Sequence, residues 1–186
     1  MSEISSKWNE RYANSGHPLP AVADVLLKGE HWLPGTASER PSMAALDLAC
    51  GRAANGEWLA QRGFHVSAWD ISKNAIADIQ QRPASRVAVA QVRDLEKQPP
   101  LPHSFDVIIV CRFLDRTLCQ AICEALKPGG ILFYQTFTHG LSNPDFLLRS
   151  NELLSLFASL SILEYHEPEP DESGKAEARL IARRQD

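Results

Sequence analysis

Three carboxylates stand where three short apolar runs each come to an end: Asp47, Asp70 and Asp94. The first belongs to Leu46-Asp47-Leu48-Ala49-Cys50-Gly51-Arg52-Ala53-Ala54-Asn55-Gly56, an apolar run with an acid, a turn of small residues and a helix start. Small side chains let a turn's backbone approach a ligand closely, and helix-start amides supply donors. An acid at the entry of such a turn suits a ligand bearing an ammonium. A pyrophosphate would be repelled by it and would prefer glycines and bare amides. Asp70 follows about one strand-helix-strand step later, where a carboxylate can accept both hydroxyls of a ribose. That spacing alone serves S-adenosylmethionine and a nicotinamide dinucleotide equally well. Asp94 and Leu95 add a side-chain acceptor and a backbone donor, which match the edge of an adenine ring. Taken singly, each acid reads equally well as a helix cap or turn residue. Together they point to a nucleoside.

These residues need a parallel sheet to bring them to one edge. Short apolar runs alternating with helical stretches after Pro41 predict it. Strands are expected over Ala44–Leu48, Phe64–Trp69, Val87–Gln91, Phe105–Cys111, Ile131–Phe137, Ser161–His166 and Ala176–Arg183. Asn55 is read as the cap of a helix running to about Arg62, with Gly63 ending it, and Ser72 as the cap of the next, through about Gln81. Leu118, Ile122, Ala125 and Leu126 mark another helix face, stopped by Pro128, Gly129 and Gly130. A further helix is expected over Asn151–Ala158, and Pro99, Pro100 and Pro102 make a loop. Upstream, short helices are expected over Ser5–Ala13 and Ala21–Leu27, then a loop through Pro34, Gly35 and Pro41. The last two strands are close enough to pair antiparallel. The expected fold is therefore α/β, a Rossmann-like three-layer sandwich whose seven-stranded, mostly parallel sheet ends in an antiparallel hairpin. One domain is expected, with 1–40 as a helical cover and 41–186 as the core.

With 186 residues, a formal charge of -4 and a pI near 5.9, the chain has no overall basic footprint for nucleic acid. The N-terminal residues lack a basic start followed by an apolar stretch, and runs such as Val107–Cys111 are too short for a bilayer. A cytoplasmic location and no membrane partner are the expectation. Cys50, Cys111, Cys119 and Cys123 read as free thiols of a reducing compartment. Cys119 and Cys123, four apart on a helix, have no Cys-x-x-Cys or histidine companion, so they read as packing residues and no metal is expected.

At these residues the sequence resembles a family. Trp8-Asn9-Glu10-Arg11-Tyr12, the Leu46–Gly56 segment and Ala68-Trp69-Asp70 resemble the tellurite-resistance and thiopurine methyltransferase-like branch of class I S-adenosylmethionine-dependent methyltransferases. So do Phe105–Leu114, Leu126-Lys127-Pro128-Gly129-Gly130 and Asn143–Arg149, and the likeness spans about Trp8 to Phe157. The resemblance implies S-adenosylmethionine as cofactor. Asp47, Ala49, Cys50 and Gly51 would line its methionyl part, Asp70 and Ile71 its ribose, Asp94 and Leu95 its adenine. Cys111 and Arg112 would flank the transferring methyl. Apart from the resemblance, Trp8 and Tyr12, on one helix face, either fold over the cofactor as a lid or simply anchor their helix. Ala49 and Ala53 stand where the family's pattern has glycines. Alanine is tolerated there where φ is negative, and it narrows the approach.

Transfer from a sulfonium needs positioning and desolvation more than covalent help, so no Ser-His-Asp set is expected and none is found. A thiolate, chalcogen oxyanion or small acid would accept the methyl without a base. An alcohol or amine would need one, and His139 is the candidate. Arg112 could orient an anionic acceptor through its fixed fork of donors, or simply pair with Asp115 or another acid. The expected partner is a small-molecule methyl acceptor. Two other readings share the pattern. One is a non-catalytic S-adenosylmethionine-binding module; the other is an NAD-dependent oxidoreductase, which lacks the full Gly-x-Gly-x-x-Gly. The sequence leaves the oligomeric state open.

Overall fold

The computed structural model describes residues 3–13 and 18–185. Its strands are β1 (Ala44–Leu48), β2 (His65–Asp70), β3 (Val89–Val92), β4 (Phe105–Cys111), β5 (Leu126–His139), β6 (Ser161–His166) and β7 (Ala176–Arg183). They form one seven-stranded sheet in the order β3-β2-β1-β4-β5-β7-β6. The first five run parallel, and β7 inserts antiparallel between β5 and β6. The order reverses at β1, whose neighbours β2 and β4 open a crevice at their C-terminal ends, where such sheets bind ligands.

Alternation along the central strands divides the core in two. Leu46, Leu48, Ile108, Val110, Leu132 and Tyr134 point to one face, and Ala45, Val107, Ile109, Ile131 and Phe133 to the other. Both sets are buried, so the central strands read as nearly unbroken apolar runs. Helices α5 (Cys119–Ala125) and α6 (Glu152–Leu156) bury Ile122 and Leu153 on the first face. Helices α2 (Asp24–Lys28) and α3 (Ala54–Gln61) bury Val25, Leu26, Trp58 and Leu59 on the second, beside α4 (Lys73–Gln81) with Ile76 and Ile79. Between β3 and β4 no helix forms, because Pro99, Pro100 and Pro102 interrupt the segment. Trp69, Leu95 and Phe105 cover the first face there, with the Trp69 and Phe105 rings edge-on at 5.6 Å.

An N-terminal helix α1 (Glu3–Arg11) docks on α4 through Asn9. No helix among the described residues is long and apolar enough to cross a membrane.

Several expected elements shift. Helix α2 begins at Asp24 rather than Ala21, and β3 lies at Val89–Val92. Strand β5 starts already at Leu126; the Pro128-Gly129-Gly130 stretch is absorbed as a bulge, where pairing jumps from Phe105↔Leu126 to Val107↔Ile131. Asn55 caps nothing. Ala53 is the residue before α3, and the Asn55 Oδ1 instead accepts the Ala23 N–H at 2.9 Å, tying α2 to α3. Ser72 does cap α4, accepting from the Ala75 N–H.

Candidate functional site

The turn after β1 is built on alternating left-handed residues: Ala49, Gly51 and Ala53 have φ of +53°, +52° and +58°. Both alanines thus lie outside the negative φ at which alanine is readily tolerated. An L side chain in this region costs of order 1–2 kcal/mol, and the surrounding bonds must hold it there. Three of them do so: Cys50 N–H to Trp69 O at 2.9 Å, Ala53 N–H to Cys50 O at 2.8 Å, and Gly51 N–H to Asp70 Oδ2 at 2.8 Å.

Asp47 lies beneath α3 with 1% of its surface exposed. Its Oδ2 accepts the Gly56 N–H at 2.7 Å, and a Cβ at that glycine would sit a tight 3.1 Å from the same oxygen. Its Oδ1 makes no hydrogen bond among the described residues. Burial pushes the Asp47 carboxyl up to about 8, against the lowering effect of the Gly56 amide, and the Asp70 charge adds to the rise. Asp70 ends β2 and is also raised by burial, opposed by amides. Its Oδ1 accepts the Ser72 N–H at 2.8 Å while Oδ2 holds Gly51. Ile71, half-buried, follows it.

Asp47 and Asp70 are therefore brought together. Asp94 stands at the same sheet edge, two residues past β3, but its Oδ2 faces outward to Lys97 Nζ at 2.7 Å. The Leu95 side chain is buried beside Trp69. The Trp69 indole Nε1 is a buried donor with no acceptor among the described residues.

Helix α1 reaches this turn. Asn9, 9% exposed, accepts the Ser72 hydroxyl at 3.0 Å on its Oδ1 and the Asn74 amide at 2.9 Å on its backbone oxygen. Trp8 and Tyr12 stack with centroids 6.1 Å apart, and the Tyr12 hydroxyl lies against Gly51, so close that a Cβ there would meet it at 2.5 Å. Burial pushes that phenol up to about 12, with the Asp70 charge next in effect. Asn9 and Ser72 were not singled out as site residues by the sequence. Asn9 lies within the Trp8–Tyr12 motif, and its polar type on the packed side of a short helix was the available signal.

On the other side of β1, the Cys111 thiol ends β4; burial pushes it up to about 12. Cys50 is likewise raised by burial, so neither sulfur is a ready thiolate. Arg112 turns outward at φ +55°, and its Nε donates to Glu177 Oε1 at 2.7 Å rather than to Asp115. Glu177 and Gln135 escaped sequence reasoning; a buried glutamine inside the apolar Ile131–Phe137 run was the signal. Asp115 instead accepts the Thr117 N–H and hydroxyl. His139 is exposed at the far end of β5, its Nδ1 3.1 Å from Thr138 Oγ1. Gln135 is the residue level with Cys111, so His139 stands about 13 Å farther along the strand.

Residues 45–130 match the family model described as a methyltransferase domain. Among curated relatives, a ubiquinone biosynthesis O-methyltransferase of Leptothrix cholodnii is 25% identical over 158 residues, covering 80% of this chain and 64% of the relative. The chain spans between 44% and 64% of the length of the curated relatives it matches. Among solved structures, TehB from Haemophilus influenzae superposes with a TM-score of 0.71 at 20% identity, over 97% of this chain and 67% of TehB. The [4+2]-cyclase SpnF does so with 0.70 at 15% identity, over 98% and 95%. At these identities the solved structures show the fold, that of class I S-adenosylmethionine-dependent methyltransferases, with TehB as a structural relative.

S-adenosylmethionine is the cofactor of that fold class, and the residues present fit it. One oxygen of buried Asp47 makes no hydrogen bond among the described residues, and with Asp70 beside it the turn offers two buried carboxylates to a ligand that carries an ammonium and ribose hydroxyls.

Proposed function

We propose that this chain is an S-adenosylmethionine-dependent methyltransferase acting on a small-molecule acceptor. One observation carries the reading: two buried carboxylates on neighbouring strands, each fixed by a backbone amide, flank a turn of small residues. Asp47 would take the ammonium of the methionyl part and Asp70 the ribose hydroxyls, with Asp94 and Leu95 on the adenine side. A nicotinamide dinucleotide suits this site less, because its pyrophosphate would meet the Asp47–Asp70 pair.

When bound, S-adenosylmethionine supplies a methyl group already activated on a sulfonium. The chain's own part is to hold both reactants in line and keep water out. Segment 1–40 serves as the cover: Asn9 hitches α1 to α4, and Trp8 and Tyr12 close over the turn. The raised thiols of Cys50 and Cys111 leave them as walls, so the methyl passes directly to the acceptor. A thiol, a chalcogen oxyanion or a small acid is the acceptor range in keeping with a Cys111 level where the Glu177 carboxylate is taken up by Arg112 and Gln135. His139, about 13 Å along β5 from the Cys111 level, is out of hydrogen-bond reach of the transfer point, so its replacement by alanine should leave methylation of every acceptor class unchanged.

Calorimetry with S-adenosylhomocysteine tests the reading. Binding by the intact protein, weakened at least tenfold in Asp70→Ala, is expected. Absence of binding by both S-adenosylhomocysteine and S-adenosylmethionine would overturn it.

A further inference from the structure

We infer that Glu177, held by Gln135, fixes the Arg112 guanidinium as the anchor for an anionic group on the methyl acceptor. The inference rests on the proposed function and adds to it the chemical class of the substrate.

Arg112 is the first residue past β4. Because Leu48 pairs with Val110, Arg112 stands level with the Ala49–Gly51 turn, at the crevice where the acceptor must meet the methyl. Its left-handed φ of +55°, a region arginine rarely adopts, turns the chain there, and its N–H is pinned to Gln135 O at 2.8 Å. The side chain is held by a relay. The Val25 N–H of α2 donates to Gln135 Oε1 at 2.9 Å, Gln135 Nε2 donates to Glu177 Oε2 at 2.6 Å, and Arg112 Nε donates to Glu177 Oε1 at 2.7 Å. Three elements, α2, β5 and β7, thereby converge on one guanidinium. Ordinary surface pairs do not recruit a buried glutamine, and Gln135 is only 7% exposed.

The relay uses Nε alone. Neither Nη1 nor Nη2 donates a hydrogen bond among the described residues, although the guanidinium side chain is 58% exposed and lies 5.7 Å from the Phe137 ring. Two parallel donors in a fixed plane match a carboxylate or an oxyanion bidentately. The other carboxylate near α2 is already compensated, since Asp24 pairs with Arg179 and Lys28, each at 3.2 Å. Arg112 is thus the acceptor-binding residue, and Glu177 with Gln135 are positioning residues.

The test uses protein saturated with S-adenosylhomocysteine and three probes of one shape: benzoate, benzamide and benzamidinium. NMR titration should give benzoate at least tenfold tighter binding than benzamide, with benzamidinium weakest, and Arg112→Gln should erase the difference. Glu177→Gln should weaken benzoate about threefold and displace the Arg112 Nε–H resonance, with affinity for S-adenosylhomocysteine unchanged. Were Glu177 only a counter-charge, its neutralisation would strengthen benzoate instead. Gln135→Met, which removes both side-chain bonds of the glutamine, should repeat the Glu177→Gln result and serves if that variant fails to fold. Equal binding of benzoate and benzamide, no detectable binding of any probe, or benzoate unchanged or tighter in both relay variants would overturn the inference. Failure of wild-type protein to bind S-adenosylhomocysteine is read before any probe is added; it defeats the proposed function, and this inference falls with it.

Discussion

Asp47 and Asp70, on one half of the sheet edge, are answered by backbone amides, whereas Arg112 and Glu177, on the other half, answer each other. The first arrangement is buried and has no rotamer freedom to spare, as suits a ligand that never varies. The second is made of long side chains, with the Arg112 guanidinium largely exposed over a mostly buried Glu177, so it meets solvent where the first does not. On the proposed function, the crevice would have a buried half for the cofactor and a partly exposed half for the acceptor.

The largest effects should come from breaking the fixed half. Asp70→Ala removes the acceptor of both the Gly51 and Ser72 amides, so cofactor binding should fall tenfold or more, with lost turn order visible in amide exchange.

Asp47→Asn should follow, with opposite signs for binding and stability. Folding raises the Asp47 carboxyl from 3.8 to about 8, so between those pH values the folded chain keeps a proton that the unfolded chain releases. Its contribution to stability is greatest below about pH 4, declines as pH rises to about 8, and is level above that. The asparagine variant should escape this decline and be the more stable protein at pH 9 by more than ~1 kcal/mol, as a buried charge is avoided. It should also bind S-adenosylhomocysteine about tenfold more weakly, for lack of an ammonium partner. In the wild type, affinity should climb from pH 6 towards pH 8, with a proton released on binding. Chemical denaturation and calorimetry across that range check both signs.

A smaller effect should come from the cover. Asn9→Ala unhitches α1 from Ser72, and a several-fold faster cofactor release, measured by stopped-flow, is expected. An unchanged rate would remove α1 from the site.

The smallest effect concerns strain. Ala49→Gly relieves a left-handed alanine and should stabilise the protein by about 0.5–1 kcal/mol, the strain relieved less glycine's entropy. Ala53→Gly should be nearly neutral, since its fully buried methyl is lost in exchange. Denaturant midpoints distinguish the two.

The parts of this molecule that were legible in the sequence are those with local signatures. The long buried runs of β1 and β4, the punctuated turn after Asp47 and the hairpin of β6 and β7 each announce themselves in periodicity or spacing. Asp70 was placed by its strand end. The relay on Arg112 was not legible, because Gln135 and Glu177 are neighbours only through the antiparallel insertion of β7 beside β5. No spacing rule encodes that contact. Asn55 misled for a related reason: its residue type suits a cap, but the distant Ala23 amide competes for the same oxygen and wins. The left-handed alanines were hidden because alanine's type argues against the conformation that the tertiary bonds impose.

A crystal structure with S-adenosylhomocysteine bears most directly on the claim that backbone-tied acids form the cofactor half. The nucleoside should lie across the Ala49–Ala53 bend, its ammonium against Asp47 Oδ1 and its ribose hydroxyls against Asp70. A nucleoside bound elsewhere, with both carboxylates still facing only their amides, would contradict the account.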